Sequence, residues 1–168
     1  MARRTSSPQR RKPTASVLDA GLRLLARRAH SRVELLLKLT RRGYEGDEIR
    51  TALKRLEELG YLDDQSFARS FVRRRGSTRG PRALSAELAA RGVDRTQVDT
   101  AVSEFGEAEQ LAAATRIAER LYARKPAPGR KEILDQIGTK LVRRGFSVTI
   151  ARAACQTVLA GQLEPTEA

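Results

Sequence analysis

Apolar residues recur along this chain at intervals of three and four residues, which is the pattern of helices that bury one face. In residues 46–58 the apolar positions are Ile49, Ala52, Leu53 and Leu56, and charged side chains occupy the opposite face. Sustained alternation of apolar and polar residues, the pattern of half-buried strands, is almost absent. The sequence therefore predicts an all-α protein, built from about nine helices.

One fifteen-residue motif occurs three times, in residues 39–53, 88–102 and 141–155. Each copy has leucine at its first position, arginine and glycine at the fourth and fifth, an aromatic residue or valine at the sixth, and alanine at the fourteenth. Internal repetition of this kind is typical of repeat proteins, in which each unit buries its apolar faces internally and against its neighbours.

We therefore expect three tandem three-helix repeats that form an elongated, curved array. The repeats are predicted at 15–62, 63–106 and 107–161, between a disordered basic arm at 1–14 and a disordered acidic tail at 162–168. A proline-rich break at 125–130 interrupts the third repeat.

The glycine of the motif has a direct physical interpretation. Glycine readily adopts the left-handed backbone conformation that ends many helices, so Gly43, Gly92 and Gly145 are each predicted to end a helix. The leucine before the glycine and the apolar residue after it are then able to meet across the turn. The arginine directly before each glycine lies where the helix dipole favours a cation, so it either stabilises the helix end or binds a partner.

Helix starts are also marked in the sequence. Ser31 and Glu34 have the spacing of a capping box, in which the serine side chain accepts a hydrogen bond from the Glu34 amide. Asp63 or Asp64 is predicted to cap the first helix of the second repeat. Pro81 is expected at the first position of the next helix, where its missing amide proton costs nothing.

The residue inventory argues against an enzyme. Cys155 and His30 are the sole cysteine and histidine, which excludes an internal disulfide and nearly excludes metal sites or a Ser-His-Asp triad. We expect Cys155 in the core and His30 at the surface or in a helix cap. No phosphate-binding or dinucleotide motif is present, and no apolar run approaches the length that spans a bilayer. We predict no catalytic residue, no cofactor and no metal.

The charge of the chain indicates a polyanionic partner. The formal net charge is +13, more than solubility requires of a small domain. Arginine dominates, and its planar guanidinium suits phosphate and carboxylate. Aromatic residues make up only 4% of the chain, so nucleic-acid contacts would be electrostatic rather than stacked. The candidate partner-binding or DNA-binding residues are Arg41, Arg42, Arg73, Arg74, Arg75, Arg79, Arg82, Lys131, Arg143 and Arg144.

Several stretches resemble the RecX family of bacterial regulators of the RecA recombinase. They are SRVEL at 31–35, LEELGYLDDQSFA at 56–68, GPRALSAELAARGV at 80–93 and, more weakly, LVRRGF at 141–146. The resemblance covers about residues 16–160. It implies a non-enzymatic protein that binds RecA and RecA–DNA filaments and inhibits recombinase, ATPase and co-protease activity. It further implies a role in recombination, DNA repair and the SOS response, at a cytoplasmic, nucleoid-associated location.

Two other functions stay open at this point. One is an autonomous nucleic-acid-binding protein, contacting single- or double-stranded DNA directly, with residues 31–42 and 46–59 as a helix-turn-helix. The other is a helical adaptor for a different acidic partner. In each case we expect a monomer, because the chain has no long heptad seam. We also expect no membrane association, because no apolar run is long enough to span a bilayer.

Overall fold

The structure is a computed structural model that describes residues 14–124 and 130–161. Its helices are α1 (Val17–Leu25), α2 (Arg32–Arg41), α3 (Gly46–Glu58), α4 (Asp64–Arg75), α5 (Pro81–Ala89), α6 (Arg95–Ser103), α7 (Glu107–Arg124), α8 (Arg130–Ile133), α9 (Thr139–Arg143) and α10 (Val148–Ala160). A π-helical turn, Leu134–Gly138, joins α8 to α9. These two ranges contain no strand, and the predicted all-α fold is confirmed.

The chain divides into two compact units, one that ends at Asp64 and one that begins at Gln65. In the first unit, α1, α2 and α3 enclose a core that includes Leu35, Leu39 and Leu53. In the second unit, α4 to α10 share one core. The predicted second and third repeats thus pack together. The bounds of the three repeats stay a prediction. Residues 1–13 of the basic arm, residues 125–129 of the break and the whole acidic tail lie outside the described residues.

The three predicted glycine turns are confirmed. Gly43, Gly92 and Gly145 have φ of 91°, 76° and 94°, in the left-handed region. In each turn the residue after the glycine donates its amide hydrogen to the carbonyl of the motif leucine, over 3.3–3.4 Å. The glycine amide donates to the carbonyl three residues before it, over 2.9–3.0 Å. These are the two bonds of a Schellman motif, which satisfies carbonyls that a helix end leaves unpaired.

The apolar positions that follow each turn are buried, as the motif predicts. The pairs are Ile49 and Ala52, Val98 and Ala101, and Ala151 and Ala154. Alanine at the second position of each pair allows neighbouring helices to approach closely, because its side chain is short. The same fifteen residues therefore perform the same packing task three times.

The helix starts are confirmed at Ser31 and Pro81, and α4 begins at Asp64, directly after Asp63, the other predicted cap. The Ser31 hydroxyl accepts a hydrogen bond from the Glu34 amide over 3.1 Å, and Pro81 is the first residue of α5. Asp64 lies inside α4, and its carboxylate accepts a hydrogen bond over 2.7 Å from the Arg32 amide at the start of α2. Asp64 therefore satisfies a different helix from its own. Burial raises the pKa of the Asp64 carboxyl, and the bond from Arg32 opposes that shift.

The expectation that His30 lies at the surface is wrong. Its side chain is 3% exposed, in the segment between α1 and α2. The Nδ1–H group donates to the Arg28 carbonyl over 2.8 Å, which fixes the ring against the backbone. Burial lowers the pKa of His30, because a charged ring would lose its hydration. The ring therefore fills space in the interior. Its Nδ1 is hydrogen-bonded, and its Nε2 is buried without a hydrogen-bond partner in the described part of the chain.

Two predicted helices differ in extent. The helix expected at 15–29 ends at Leu25, because the chain must turn to bring His30 and the Ser31 cap into place. The helix expected at about 131–144 contains the π-helical turn, which packs against α7 and α10. Cys155 is fully buried on α10, as predicted, with Sγ 4.0 Å from the Ile133 carbonyl at the start of that turn. No helix within the described ranges is long and apolar enough to cross a membrane.

Candidate functional site

The second unit contains a shallow, open cleft whose lining is almost entirely cationic, here called the basic cleft. Its side chains come from the end of α4, the loop after it, α9 and the residue after α9. They are Arg75, Thr78, Arg79, Lys140, Arg143 and Arg144, around a volume of about 390 Å³. The cleft thus joins residues from the predicted second and third repeats.

Backbone hydrogen bonds bring these two sets of residues together. Helix α5 has no side-chain cap, and its first amides donate instead to carbonyls at the end of α9. The Gly80 amide donates to the Arg144 carbonyl over 2.8 Å, and the Arg82 amide donates to the Gly145 carbonyl over 3.2 Å. The positive end of one helix dipole meets the negative end of another, so the contact satisfies orphan groups of both helices.

Two glycines make this contact possible. A Cβ atom at Gly80 would lie 2.3 Å from the Phe146 nitrogen, and one at Gly145 would lie 2.4 Å from the Ala83 nitrogen. A Cβ atom does not approach a non-bonded atom so closely. In both cases the atom in the way belongs to the backbone, which cannot rotate aside as a side chain can. Gly145 therefore has two duties, to end α9 and to admit α5. A side chain at either glycine would push the two walls of the cleft apart.

A carboxylate lies against one end of the basic cleft. Glu87, on α5, is 3.1 Å from a terminal nitrogen of Arg75 and 3.3 Å from Nε of Arg79. The Thr78 hydroxyl donates to the Arg75 carbonyl over 3.1 Å and closes the loop between them. Arg75 and Arg79 remain 41% and 38% exposed, so both guanidinium groups are still accessible to an incoming anion.

The balance of charge in the cleft is strongly positive. Five cations face one another, and Glu87 is the carboxylate that pairs with two of them. Lys140, Arg143 and Arg144 have no ion pair within the described part of the chain. The carbonyl ends of α4 and α9 offset part of this repulsion, because each helix dipole favours a cation there. The arrangement is able to hold an extended anion, by charge and by forked guanidinium hydrogen bonds.

The other predicted contacts lie elsewhere. Successive residues point about 100° apart on a helix, so the run of three arginines on α4 divides. Arg75 enters the basic cleft, whereas Arg73 lines a separate, mixed-charge cleft beside the ion pair of Arg69 and Glu104. The remaining predicted residues are exposed at the end of α2, on α4, at the start of α5 and on α8, and they are Arg41, Arg42, Arg74, Arg82 and Lys131.

The motif arginines have diverged in their surroundings. Arg91 is half-buried, with its guanidinium 5.0 Å from the centre of the Phe71 ring, a cation–π contact that supports a structural role. Arg144, at the matching position of the third copy, lines the basic cleft instead. Arg42 is exposed at the end of α2. The same sequence position therefore packs against an aromatic ring in one repeat and lines the basic cleft in another.

Sequence reasoning missed Lys140 and Thr78. Lys140 stands three and four residues before Arg143 and Arg144, so helical spacing already places the three on one face of α9. Thr78 joins the cleft only because the loop after α4 is folded back, which no local pattern announces. Within the described ranges, no group of three or more His, Cys, Asp or Glu side chains is arranged to hold a metal ion.

Comparison with known proteins identifies the family of the chain. The family model described as "RecX, first three-helix domain" matches residues 18–56, and "RecX, second three-helix domain" matches residues 63–102. Regulatory protein RecX of Halorhodospira halophila is 42% identical over 140 residues, covering 83% of this chain and 86% of that protein. Regulatory protein RecX of Mycobacterium marinum is 35% identical over 164 residues, covering 93% and 88%.

Solved structures show the same fold. The crystal structure of RecX from Lactobacillus salivarius superimposes with a TM-score of 0.78 at 24% identity, over 86% of this chain and 95% of that one. Fold and site together define a tandem helical-repeat protein with a basic surface. The chain belongs to the RecX family, as its resemblance in sequence predicted.

Proposed function

We propose that this chain binds RecA and RecA–DNA filaments and inhibits their recombinase, ATPase and co-protease activities. It would thereby modulate recombination, DNA repair and the SOS response. The observation that carries the proposal is the family membership, which extends over most of the chain and includes relatives named as regulatory proteins. The proposal includes no catalysis by the chain itself, because regulation of a filament requires differential binding alone.

The basic cleft supplies the contact in this proposal. A RecA–DNA filament is an extended polyanion, since its DNA carries one phosphate per nucleotide. Five cations in an open cleft suit such a surface better than they suit a small ligand, which would need enclosure. Attraction of this kind acts over about 10 Å at ordinary salt, so it accelerates encounter as well as strengthening the complex.

The mechanism follows from occupancy. A chain seated along the filament would deny that surface to incoming duplex, and preferential binding to one conformation of the filament would shift its population. The exposed residues outside the cleft, Arg41, Arg42, Arg74, Arg82 and Lys131, are proposed as additional contacts, together with Arg73. The contribution of each of these residues is expected to be smaller, because salt screens charges on an exposed surface more than it screens charges in a cleft.

The test uses filaments formed before the chain is added. RecA is assembled on single-stranded DNA, the chain is added in increasing amounts, and ATP turnover and strand exchange are followed. We expect both rates to fall with added chain and to level off at saturation. Unchanged rates at saturating chain, together with tight binding to bare DNA, would reject the proposal in favour of an autonomous nucleic-acid-binding protein.

A further inference from the structure

Glu87 lies beside the basic cleft and pairs with two of its arginines, which has a consequence for how the cleft binds. A carboxylate there already contacts Arg75 and Arg79, at 3.1 and 3.3 Å. The pair is only partly exposed, with Glu87 at 28%, so water screens it less than a pair on an open surface. The other three cations of the cleft have no such partner within the described residues. Two of the five cations, at one end of the cleft, are therefore already paired with a carboxylate of the same chain.

We propose that Glu87 is a built-in competitor that weakens the affinity of the basic cleft for polyanions. An incoming phosphate must displace its carboxylate from Arg75 and Arg79 or share those guanidinium groups with it. Either way, two of the five cations contribute less than their full charge. The proposal rests on the cleft being the anion-binding surface of the proposed function.

The location of Glu87 favours competition with an incoming anion over a structural role in positioning the cleft residues. Lys140, Arg143 and Arg144 lie on and just after α9, and the backbone bonds from Gly80 and Arg82 position them without Glu87. Arg75 ends a continuous helix, and the loop that follows is closed by the bond from Thr78. The cleft is thus built by other contacts. Its carboxylate subtracts charge from a surface that already has its shape.

Such a residue would give selectivity. A cleft of five free cations would bind any nucleic acid in the cell, and bulk DNA would sequester the chain. Lowering the affinity for bare polyanions leaves binding to depend on further contacts that only the proper partner supplies. Glu87 would therefore favour a composite partner, such as protein with DNA, over DNA alone.

The test measures binding of two probes, a fluorescent oligo-thymidylate and poly-glutamate, to the purified chain over a range of salt concentrations. In Glu87→Gln the affinity for oligo-thymidylate should rise about threefold to tenfold, as expected for release of two partly exposed ion pairs. The plot of log affinity against log salt should steepen by about 0.7–1.4, because each freed arginine releases further counterions from single-stranded DNA. Poly-glutamate separates a preference for phosphate from a preference for any anion.

Glu104→Gln is the matched control. It also removes one carboxylate and frees one arginine in the second unit, but that arginine, Arg69, does not line the basic cleft, whereas the partners of Glu87 do. If the affinity for oligo-thymidylate rises well above the parent's in Glu87→Gln, and by much less in Glu104→Gln, the result supports competition. Equal increases would mean that net charge alone acts, and a decrease with Glu87→Gln would mean that Glu87 positions the arginines; both overturn the proposal.

Glu87→Asp provides a second variant with the parent's net charge. Its carboxylate is one methylene short of reaching both arginines, so binding should rise by less than in Glu87→Gln, and thermal unfolding confirms that each variant is folded. Absence of binding by the parent and by every variant at low salt would also overturn the proposal. The probes contain no RecA, so these outcomes are independent of whether the chain regulates the recombinase.

Discussion

At the scale of single residues, the same motif position has different steric surroundings in different copies of the motif. Gly43 and Gly145 share the same left-handed conformation and the same pair of turn hydrogen bonds. A Cβ at Gly43 would meet nothing within 4 Å, whereas one at Gly145 would overlap the backbone of Ala83. The conformational requirement is therefore common to the repeats, whereas the steric requirement is present at Gly145 and absent at Gly43.

Alanine substitution separates the two requirements. We expect Gly43→Ala to lower the free energy of unfolding by about 1–2 kcal/mol, the cost of a side chain at positive φ. Gly145→Ala should cost about 1–3 kcal/mol more, because α5 and the end of α9 must also move apart. Denaturant unfolding of both variants measures the difference. Equal losses would show that α5 does not press against this turn.

Two residues make contacts that the sequence does not reveal. His30 was expected at the surface, because a lone histidine between two helices shows no local reason to be buried. The fold buries it by ending α1 early and bonding its ring to the Arg28 carbonyl. Asp64 has the appearance of a cap in sequence, yet it satisfies α2 from 32 residues away. Local patterns cannot specify contacts of that range.

At the scale of elements, the helix ends account for most of what the sequence predicted well. Gly43, Gly92 and Gly145 end helices through bonds within six residues, and Ser31 and Ser147 begin helices through bonds to amides three residues on. Those features are local, so sequence reveals them. The π-helical turn was not foreseen, because it depends on packing against α7 and α10.

A pair of hydroxyl substitutions on α10 tests the role of position within an element. The Ser147 hydroxyl accepts a hydrogen bond from the Ile150 amide over 3.1 Å, so Ser147→Ala should cost about 1 kcal/mol of stability. The Thr157 hydroxyl donates to the Ala153 carbonyl in the helix interior, where threonine is a poor helix former. Thr157→Ala should therefore be neutral or slightly stabilising. If Thr157→Ala lowered the free energy of unfolding as much as Ser147→Ala does, the stability that we assign to the Ser147 cap would be contradicted.

The basic cleft shows where prediction from sequence stops at this scale. Arg75, Arg79, Arg143 and Arg144 were all expected to contact a partner, because runs of arginine indicate polyanions. Their meeting in one place depends on the bonds from Gly80 and Arg82 to the end of α9, more than 60 residues along the chain. Charge clusters are visible in sequence, whereas the surface that they form is a property of the fold.

At the scale of the whole molecule, the chain has an excess of cations, several of which lie in the last turn of a helix. The net charge of +13 attracts any polyanion, so charge alone does not choose a partner. Selection must come from surfaces of defined shape, such as the basic cleft, which brings together cations from α4, the loop after it and α9. A regulator of filaments needs such a surface, since it must distinguish a filament from the DNA inside it.

The affinity of cleft variants for preformed RecA–DNA filaments tests this account most directly. Lys140→Glu with Arg143→Glu reverses two cleft charges, and Arg95→Glu with Arg120→Glu changes net charge equally at exposed positions outside the cleft. At about 100 mM salt, where exposed charges more than about 10 Å apart are largely screened, the cleft variant should bind filaments at least about tenfold more weakly than the control variant. Equal affinities of the two variants would contradict the account.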